Sequence, residues 1–318
     1  MSSFDVTIIG AGSWGKALAH NLSNNNKKIL IYSRNSKIED FEKDKNIVLT
    51  NEIKNIFENK VPNVIATPVN SLNEIGQIAK RNNFNEPILL TCKGIGSDSG
   101  KFPTQIIDQY CSNEKLAVLS GPSFSSEVLQ NKPTAVTIAS KNNTVLKIFT
   151  EMFHNKFFRV YASNDVIGCQ LGGAMKNILS VAVGISDGLE LGSNAKAALI
   201  TRGILEIKAI GEIMGCDNET IYGLSGLGDL VLTANDNLSR NRRFGIAIAR
   251  GSSIEEAQKK IGHIVEGIFA SQGLNIIAKK NSLNLPICTK VFDIINGKTN
   301  PKNAVNDLLL REQKKEFV

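Results

Sequence analysis

The chain has 318 residues, 42% hydrophobic and 21% charged, and 37 lysines and arginines against 30 aspartates and glutamates leave it at net +7. That length holds about two domains of ordinary size, and the composition excludes a disordered or fibrous chain. The positive balance suits an anionic small molecule; with 6% aromatic residues and lysines scattered instead of striped, nucleic-acid binding is not expected.

The start, "MSSF", runs straight into a strand pattern without the basic and apolar regions of a signal peptide. No uninterrupted apolar run approaches a membrane span, so membrane insertion is not expected. Cys92, Cys111, Cys169, Cys216 and Cys288 are widely spaced and odd in number. They form no CxxC pair or cysteine–histidine cluster, so neither disulfides nor a metal site are expected, and reduced thiols point to a cytoplasmic protein.

Strand patterns occur at 5–10, 28–32, 63–67, 87–91, 115–120, 134–139 and 157–162, with helical spacing between most of them, as at 14–24, 71–82 and 143–153. Short apolar strands alternating with helices predict an α/β fold with a mostly parallel sheet covered on both faces. After residue 163 only helical periodicity remains, at 165–186, 194–214, 242–249, 254–260, 266–280 and 287–296. We therefore expect a dinucleotide-binding domain over 1–163 and an all-α substrate-binding and catalytic domain over 164–318, with the ligand in the cleft between them. The charged tail "REQKKEFV" is expected to fray.

"DVTIIGAGSWGKALAHNLS" places Gly10, Gly12 and Gly15 in G-x-G-x-x-G spacing, after a strand and at the start of a helix. Gly10 allows the tight turn, Gly12 the approach of a pyrophosphate, and Gly15 close helix–strand packing. The helix amides then face the anion, so a dinucleotide is expected here. The second strand ends in "IYSRN", with Ser33 and Arg34 where an acidic residue would bind the ribose 2′-hydroxyl of NAD. A guanidinium suits a 2′-phosphate or stacks on adenine, which favours NADPH; a site tolerant of both cofactors, or an Arg34 in solvent, stays open.

In "GGAMKNILSVAVG", Ile167, Leu171, Ala174, Met175, Ile178, Leu179 and Ala182 follow the spacing of a buried helical face, yet Lys176 stands among them. Steps of four residues give Gly168, Gly172, Lys176, Ser180 and Gly184, a stripe that lets something approach the backbone. Tight helix packing accounts for the glycines but not for a lysine centred among them. A desolvated lysine, its pKa lowered from about 10.4, could exchange a proton with a carbonyl oxygen and polarise it.

The stretch "LGGAMKNILSVAVGISDGLELGSNAKAALITRG" resembles the signature of bacterial NAD(P)-dependent glycerol-3-phosphate dehydrogenase. So do "GAGSWGKALA", "CKGI", "SGPSFSSEV", "GLSGLGDLVLT", "LSRNRRFG" and "IVEG", in the family's order and over nearly the whole chain. The resemblance implies a Rossmann-type doubly wound N-terminal domain, a helical C-terminal domain and a cytoplasmic homodimer. Lys176 matches the family's proton acceptor. Lys93, Gly121, Ser123, Asp229, Ser239, Arg240 and Asn241 match substrate-binding positions. Ser13, Trp14, Arg34, Lys93, Ser125, Arg240, Ile264 and Glu266 match cofactor contacts, beside Gly10, Gly12 and Gly15.

The residue chemistry agrees with most of this set. Arg240 offers planar donors and charge to a phosphate, with Ser239 and Asn241 beside it. Lys93 adds a second positive charge that would depress Lys176 if the two were close. For Asp229 taken alone, a helix cap and a ligand contact are equally open. His20, His154 and His263 belong to no recognisable constellation and read as structural.

The chain also departs from the family pattern. "GPSFSSEV" has Ser125 and Ser126 where many members have alanine and lysine, 36–62 lacks the usual "N-x-x-Y-L-P" element, and "IATPVNS" stands in place of "AVPSQ". These changes bear on adenine-side contacts and cofactor choice more than on the reaction. The expected function is reversible reduction of dihydroxyacetone phosphate to sn-glycerol 3-phosphate with NADPH or NADH, supplying phospholipid synthesis. Its rivals are a two-domain dehydrogenase of hydroxy or sugar acids and a nicotinamide-binding redox sensor without catalysis.

Overall fold

The computed structural model describes residues 3–34, 44–313 and 315. The N-terminal region runs β1 (Val6–Ile9), α1 (Ser13–Asn24), β2 (Ile29–Tyr32), β3 (Ile47–Thr50), α2 (Ile53–Glu58), β4 (Asn63–Ile65), α3 (Leu72–Arg81) and β5 (Ile88–Leu90). It continues through α4 (Pro103–Ile107), β6 (Leu116–Ser120), α5 (Ser125–Leu129), β7 (Thr134–Ala139), α6 (Asn143–Phe153) and β8 (Phe158–Ser163).

The strands form one sheet in the order β3-β2-β1-β4-β5-β6-β7-β8, parallel except where β6 meets β7. Strand order reverses beside β1, between β2 and β4, so the loops at the carboxyl ends of β1 and β4 part there, opening the crevice where doubly wound sheets bind ligands. Val6 and Ile8 pack under Leu18 and Leu22 of α1 and Phe149 and Phe153 of α6. Ile9 points the other way, into a layer with Phe57, Leu72, Ile75 and Leu90. Both faces are covered, which is why these strands read as continuous apolar runs.

The sequence pattern misses β3. Its burial is only partial, it sits at the sheet edge, and the lysines and asparagines around it mask an apolar run of only three residues, Ile47 to Leu49. Residues 36–43 of the shortened segment lie outside the described residues, as do 314 and 316–318 of the tail.

The C-terminal region is helical: α7 (Val166–Gly188), α8 (Gly192–Met214), α9 (Asn218–Tyr222), a π-helical turn (Leu224–Gly228), α10 (Asp229–Asn235) and α11 (Arg240–Ala249). Then follow α12 (Ile254–Ile261), α13 (Glu266–Lys280), α14 (Pro286–Ile295) and α15 (Pro301–Leu309). Asp165 starts α7 by accepting from the Gly168 amide at 2.8 Å, and also takes the Asp217 amide at 2.9 Å, joining α7 to the start of α9.

α7 corrects the expectation of a one-sided helix. It runs through the middle of the helical region, buried on nearly every face from Val166 to Ser186, Lys176 and Ile167 being the partial exceptions. It also corrects the reading that no run is long enough for a membrane. By length and composition α7 could cross one, but 89% of its most apolar window is buried inside the protein. The stripe at four-residue steps is a packing surface at its glycines. A Cβ on Gly172 would lie 2.3 Å from the Ser225 carbonyl oxygen, and one on Gly184 2.1 Å from that of Arg242.

Candidate active site

The glycine loop is built as its spacing implies. Gly10 has φ +110°, which an L side chain rarely adopts, and a Cβ on Gly15 would fall 1.8 Å from the Gly10 carbonyl oxygen. Gly12 is different: it precedes the first turn of α1, and a Cβ there would meet nothing within 4 Å. No side chain caps the helix and no acidic residue stands in its first turn. Its amides and positive dipole end are therefore available to an anion. Trp14 Nε1 is buried without a partner beside the same opening. Open backbone and spare donors fit a dinucleotide pyrophosphate, and the bound nucleotide would supply redox chemistry that no side chain here can.

This loop forms one wall of a cleft of about 510 Å³. Lining it are Gly12, Ser13, Trp14, Lys93, Ser123, Ser125, Lys176, Ser239, Arg240, Asn241, Ile264 and Glu266, all picked from the sequence. Gly121 and Asp229 lie just behind the lining and bond to Lys93. Gly10 and Gly15 shape the turn from below. Arg34 stands apart, 66% exposed, with its guanidinium 3.2 Å from Glu74.

The cleft floor holds a three-residue charge cluster. The π-helical turn presses its backbone on Gly172 of α7, and α10 then opens with Asp229, only 1% exposed. One carboxylate oxygen accepts from Lys93 Nζ at 2.6 Å, the other from Lys176 Nζ at 3.0 Å. Lys93 also donates to the Gly121 carbonyl at 2.7 Å, and Lys176 to Thr233 Oγ1 at 3.2 Å. Of the two readings left open for Asp229, the helix cap is excluded: Gly228 precedes α10 and no side chain caps it.

Burial works to raise the Asp229 pKa, but the charges of Lys176 and Lys93 outweigh it and hold the group below the usual carboxylate range. Lys93 and Lys176 bond the same carboxylate, so the second positive charge expected from the sequence does stand beside Lys176. The Lys93 ammonium is pushed down to about 8, chiefly by burial and further by Lys176, against the pull of Asp229. Cys92, next to it, is driven up to about 12 by burial and the Glu266 charge, so it remains a thiol.

Several lining residues carried no sequence signal of their own. Asn177 donates to the Lys93 carbonyl and to Glu266 Oε2, both at 3.1 Å, and accepts from Asn241 Nδ2 at 2.8 Å. It thereby joins α7, the β5 loop, α11 and α13. Thr233 stands four residues after Asp229, the spacing that puts both on one face of α10. Thr67, Thr91, Ser126 and His263 also border the cleft. A larger apolar groove, about 740 Å³, lies between α8, α14 and α15 and contains none of these groups.

Residues 5–146 match the family described as NAD-dependent glycerol-3-phosphate dehydrogenase N-terminus, and 165–306 the matching C-terminus family. Glycerol-3-phosphate dehydrogenase [NAD(P)+] of Thermoanaerobacter sp. (strain X514) is 37% identical, with 98% of both chains covered. The same enzyme of Halothermothrix orenii is 39% identical over 98% of this chain and 96% of its own. The crystal structure of glycerol-3-phosphate dehydrogenase from Coxiella burnetii superposes with a TM-score of 0.90 at 36% identity, covering 97% of this chain and 99% of that one. With both halves matched and relatives aligned from end to end, the chain belongs to the NAD-dependent glycerol-3-phosphate dehydrogenase family, oxidoreductases that act on a CH–OH group with NAD or NADP.

Proposed function

We propose that the cleft reversibly reduces dihydroxyacetone phosphate to sn-glycerol 3-phosphate, with NADPH favoured over NADH. The observation that carries this is Asp229, buried between Lys93 and Lys176 where the glycine-loop wall meets the helical wall. A nicotinamide cofactor held along the glycine loop would supply the hydride chemistry of the reaction in either direction. Lys176 gives a proton to the oxygen as its charge grows, and takes it back during oxidation. Asp229 holds both ammonium groups in place through one oxygen each, which sets Lys176 at the cleft floor where a proton is needed. Lys93 contributes charge next to the reacting carbonyl. Arg240, with Ser239 and Asn241, receives the phosphate, while Gly121 and Ser123 border the substrate.

The cofactor would be held by Gly10, Gly12, Ser13, Trp14 and Gly15 at the pyrophosphate, by Arg34 at the adenosine end, and by Lys93, Ser125, Arg240, Ile264 and Glu266 toward the nicotinamide. On this reading 1–163 serves the dinucleotide and 164–318 the substrate. A homodimer in the cytoplasm that supplies phospholipid synthesis completes the proposal, on the strength of the resemblance. The deciding measurement is loss of reduced-nicotinamide absorbance on adding dihydroxyacetone phosphate, run separately with NADPH and NADH. No oxidation with either cofactor overturns the proposal.

A further inference from the structure

A second charge cluster sits at the far end of α7, outside the cleft lining. Asp187 Oδ2 accepts from Arg242 Nε at 2.7 Å and lies 2.6 Å from its Nη2, while Oδ1 lies 2.9 Å from Lys196 Nζ. Arg242 Nη1 also donates to Asn237 Oδ1 at 2.5 Å. The Asp187 and Arg242 side chains are 17% and 12% exposed, sheltered enough for charged hydrogen bonds to hold geometry.

Arg242 belongs to the first turn of α11, the turn that presents Ser239, Arg240 and Asn241 to the cleft. Where α11 crosses α7 the contact is glycine against backbone: a Cβ on Gly245 would lie 2.2 Å from the Val181 carbonyl oxygen, and one on Gly184 2.1 Å from that of Arg242. Such a face permits close approach, and Phe244, Ala247 and Ile248 of α11 are buried in the same apolar core as Ile178, Val181 and Ile185 of α7. Apolar packing is non-directional, so directional contacts at the two ends of the crossing add a restraint on rotation and sliding that it does not supply. Asn241 is tied to Asn177 at 2.8 Å on the cleft side, and Arg242 to Asp187 on the other. Those anchors are ten positions apart on α7, about 15 Å at the helical rise. Adjacent residues of α11 are thus pinned on opposite sides of the crossing.

We propose that Asp187 is a positioning residue for the phosphate end of the substrate. Through Arg242 it fixes the rotation and height of the first turn of α11, and so where Arg240 faces; through Lys196 it ties the start of α8 to the same carboxylate. This rests on the reading that the turn receives the substrate phosphate.

The test compares NADPH oxidation by the full chain with dihydroxyacetone phosphate and with unphosphorylated dihydroxyacetone. Wild type, Asp187→Ala, Asp187→Asn and Arg242→Lys are assayed side by side. Displacing the turn by about 1 Å should raise the Asp187→Ala KM for dihydroxyacetone phosphate by up to about 100-fold. Its kcat/KM for dihydroxyacetone should fall far less, by no more than the share of Arg240 that serves the cofactor, and the Asn and Lys variants should fall between. Equal losses on both ketones, or an unchanged KM for the phosphorylated one, overturn the proposal. Where Asp187→Ala shows no cooperative melt, the isosteric Asp187→Asn carries the same comparison. A wild type that does not prefer the phosphorylated ketone instead removes the phosphate reading, and the proposal with it.

Discussion

The two walls of the cleft work by different means. On the sheet side the groups facing the cofactor space are mostly backbone: amides at the start of α1, and a glycine whose missing side chain leaves room. On the helical side the groups are side chains, Lys176, Asp229, Thr233 and Arg240, set by the packing of α7, α10 and α11. A backbone cradle binds whatever shape fits it, whereas a cluster of charged side chains can change protonation during a reaction. Binding and chemistry should therefore be separable by substitution, wall by wall.

The largest effect is expected at Lys176. Lys176→Ala should lower turnover by about 10²- to 10⁴-fold, the range for losing a positioned proton donor, while NADPH binding followed by fluorescence titration stays close to wild type. Retained turnover would remove its catalytic assignment. The mirror-image change is Gly12→Asp. An aspartate suits a helix N-cap, and the space around Gly12 is open, so the melting temperature should hold or rise. A carboxylate beside the pyrophosphate costs several kcal/mol, so NADPH affinity should fall by about 100-fold or more. If Gly12→Asp binds NADPH normally, the cradle lies elsewhere.

Asp229 serves both walls. Asp229→Ala leaves two ammonium groups without their shared partner, and breaking a buried pair costs about 3–5 kcal/mol. The loss should lie near the lower end, because Lys93 and Lys176 are 12% and 13% exposed and can recruit cleft water. Urea unfolding of the variant measures it. A loss below about 1 kcal/mol, the value of an exposed pair, would mean that the cluster is solvated and Asp229 contributes little to the fold.

The same division decides what could be read before the structure. The glycine loop was legible because its three constraints fall within six residues, and so was the sheet, whose buried strands announce themselves as short apolar runs. The helical wall joins residues 93, 176, 229 and 240, which no local spacing connects; their grouping came from resemblance alone. Asn177 and Thr233 were passed over because a buried amide or hydroxyl looks ordinary until its partners are known. α10 and the π-helical turn were hidden in "GLSGLGDL", where glycines that permit close packing on α7 read as loop. The lowered pKa of Lys93 was not legible for a related reason: its burial depends on the sheet and helical regions closing over it, not on its neighbours in sequence.

Lys93 gives the comparison a pH signature. With a pKa of about 8, it carries its charge below that pH and loses it above. If that charge attracts the substrate, kcat/KM for dihydroxyacetone phosphate should fall as pH rises through about 8, by about 10-fold per unit where the neutral form is inactive. Lys93→Arg keeps the charge at every accessible pH, so the high-pH limb should vanish even where overall activity drops. A limb that persists unchanged in Lys93→Arg would assign the titration to another group.

The smallest effect is expected at the adenosine end, where the sheet wall also uses a side chain. Arg34 is exposed and paired with Glu74 at 3.2 Å, a contact worth about 0–1 kcal/mol in water. A 2′-phosphate carries more charge than a carboxylate and takes a guanidinium through two parallel hydrogen bonds, so it can displace Glu74. Arg34→Ala should then weaken NADPH while leaving NADH unchanged, lowering the ratio of their kcat/KM values by about 5- to 10-fold, as for one charge-assisted hydrogen bond near the surface. Glu74→Gln should move that ratio the other way by freeing the guanidinium, and added salt should shrink both changes. If Arg34→Ala weakens the two cofactors equally, the guanidinium stacks on adenine, which they share, and the preference between them is set by other residues.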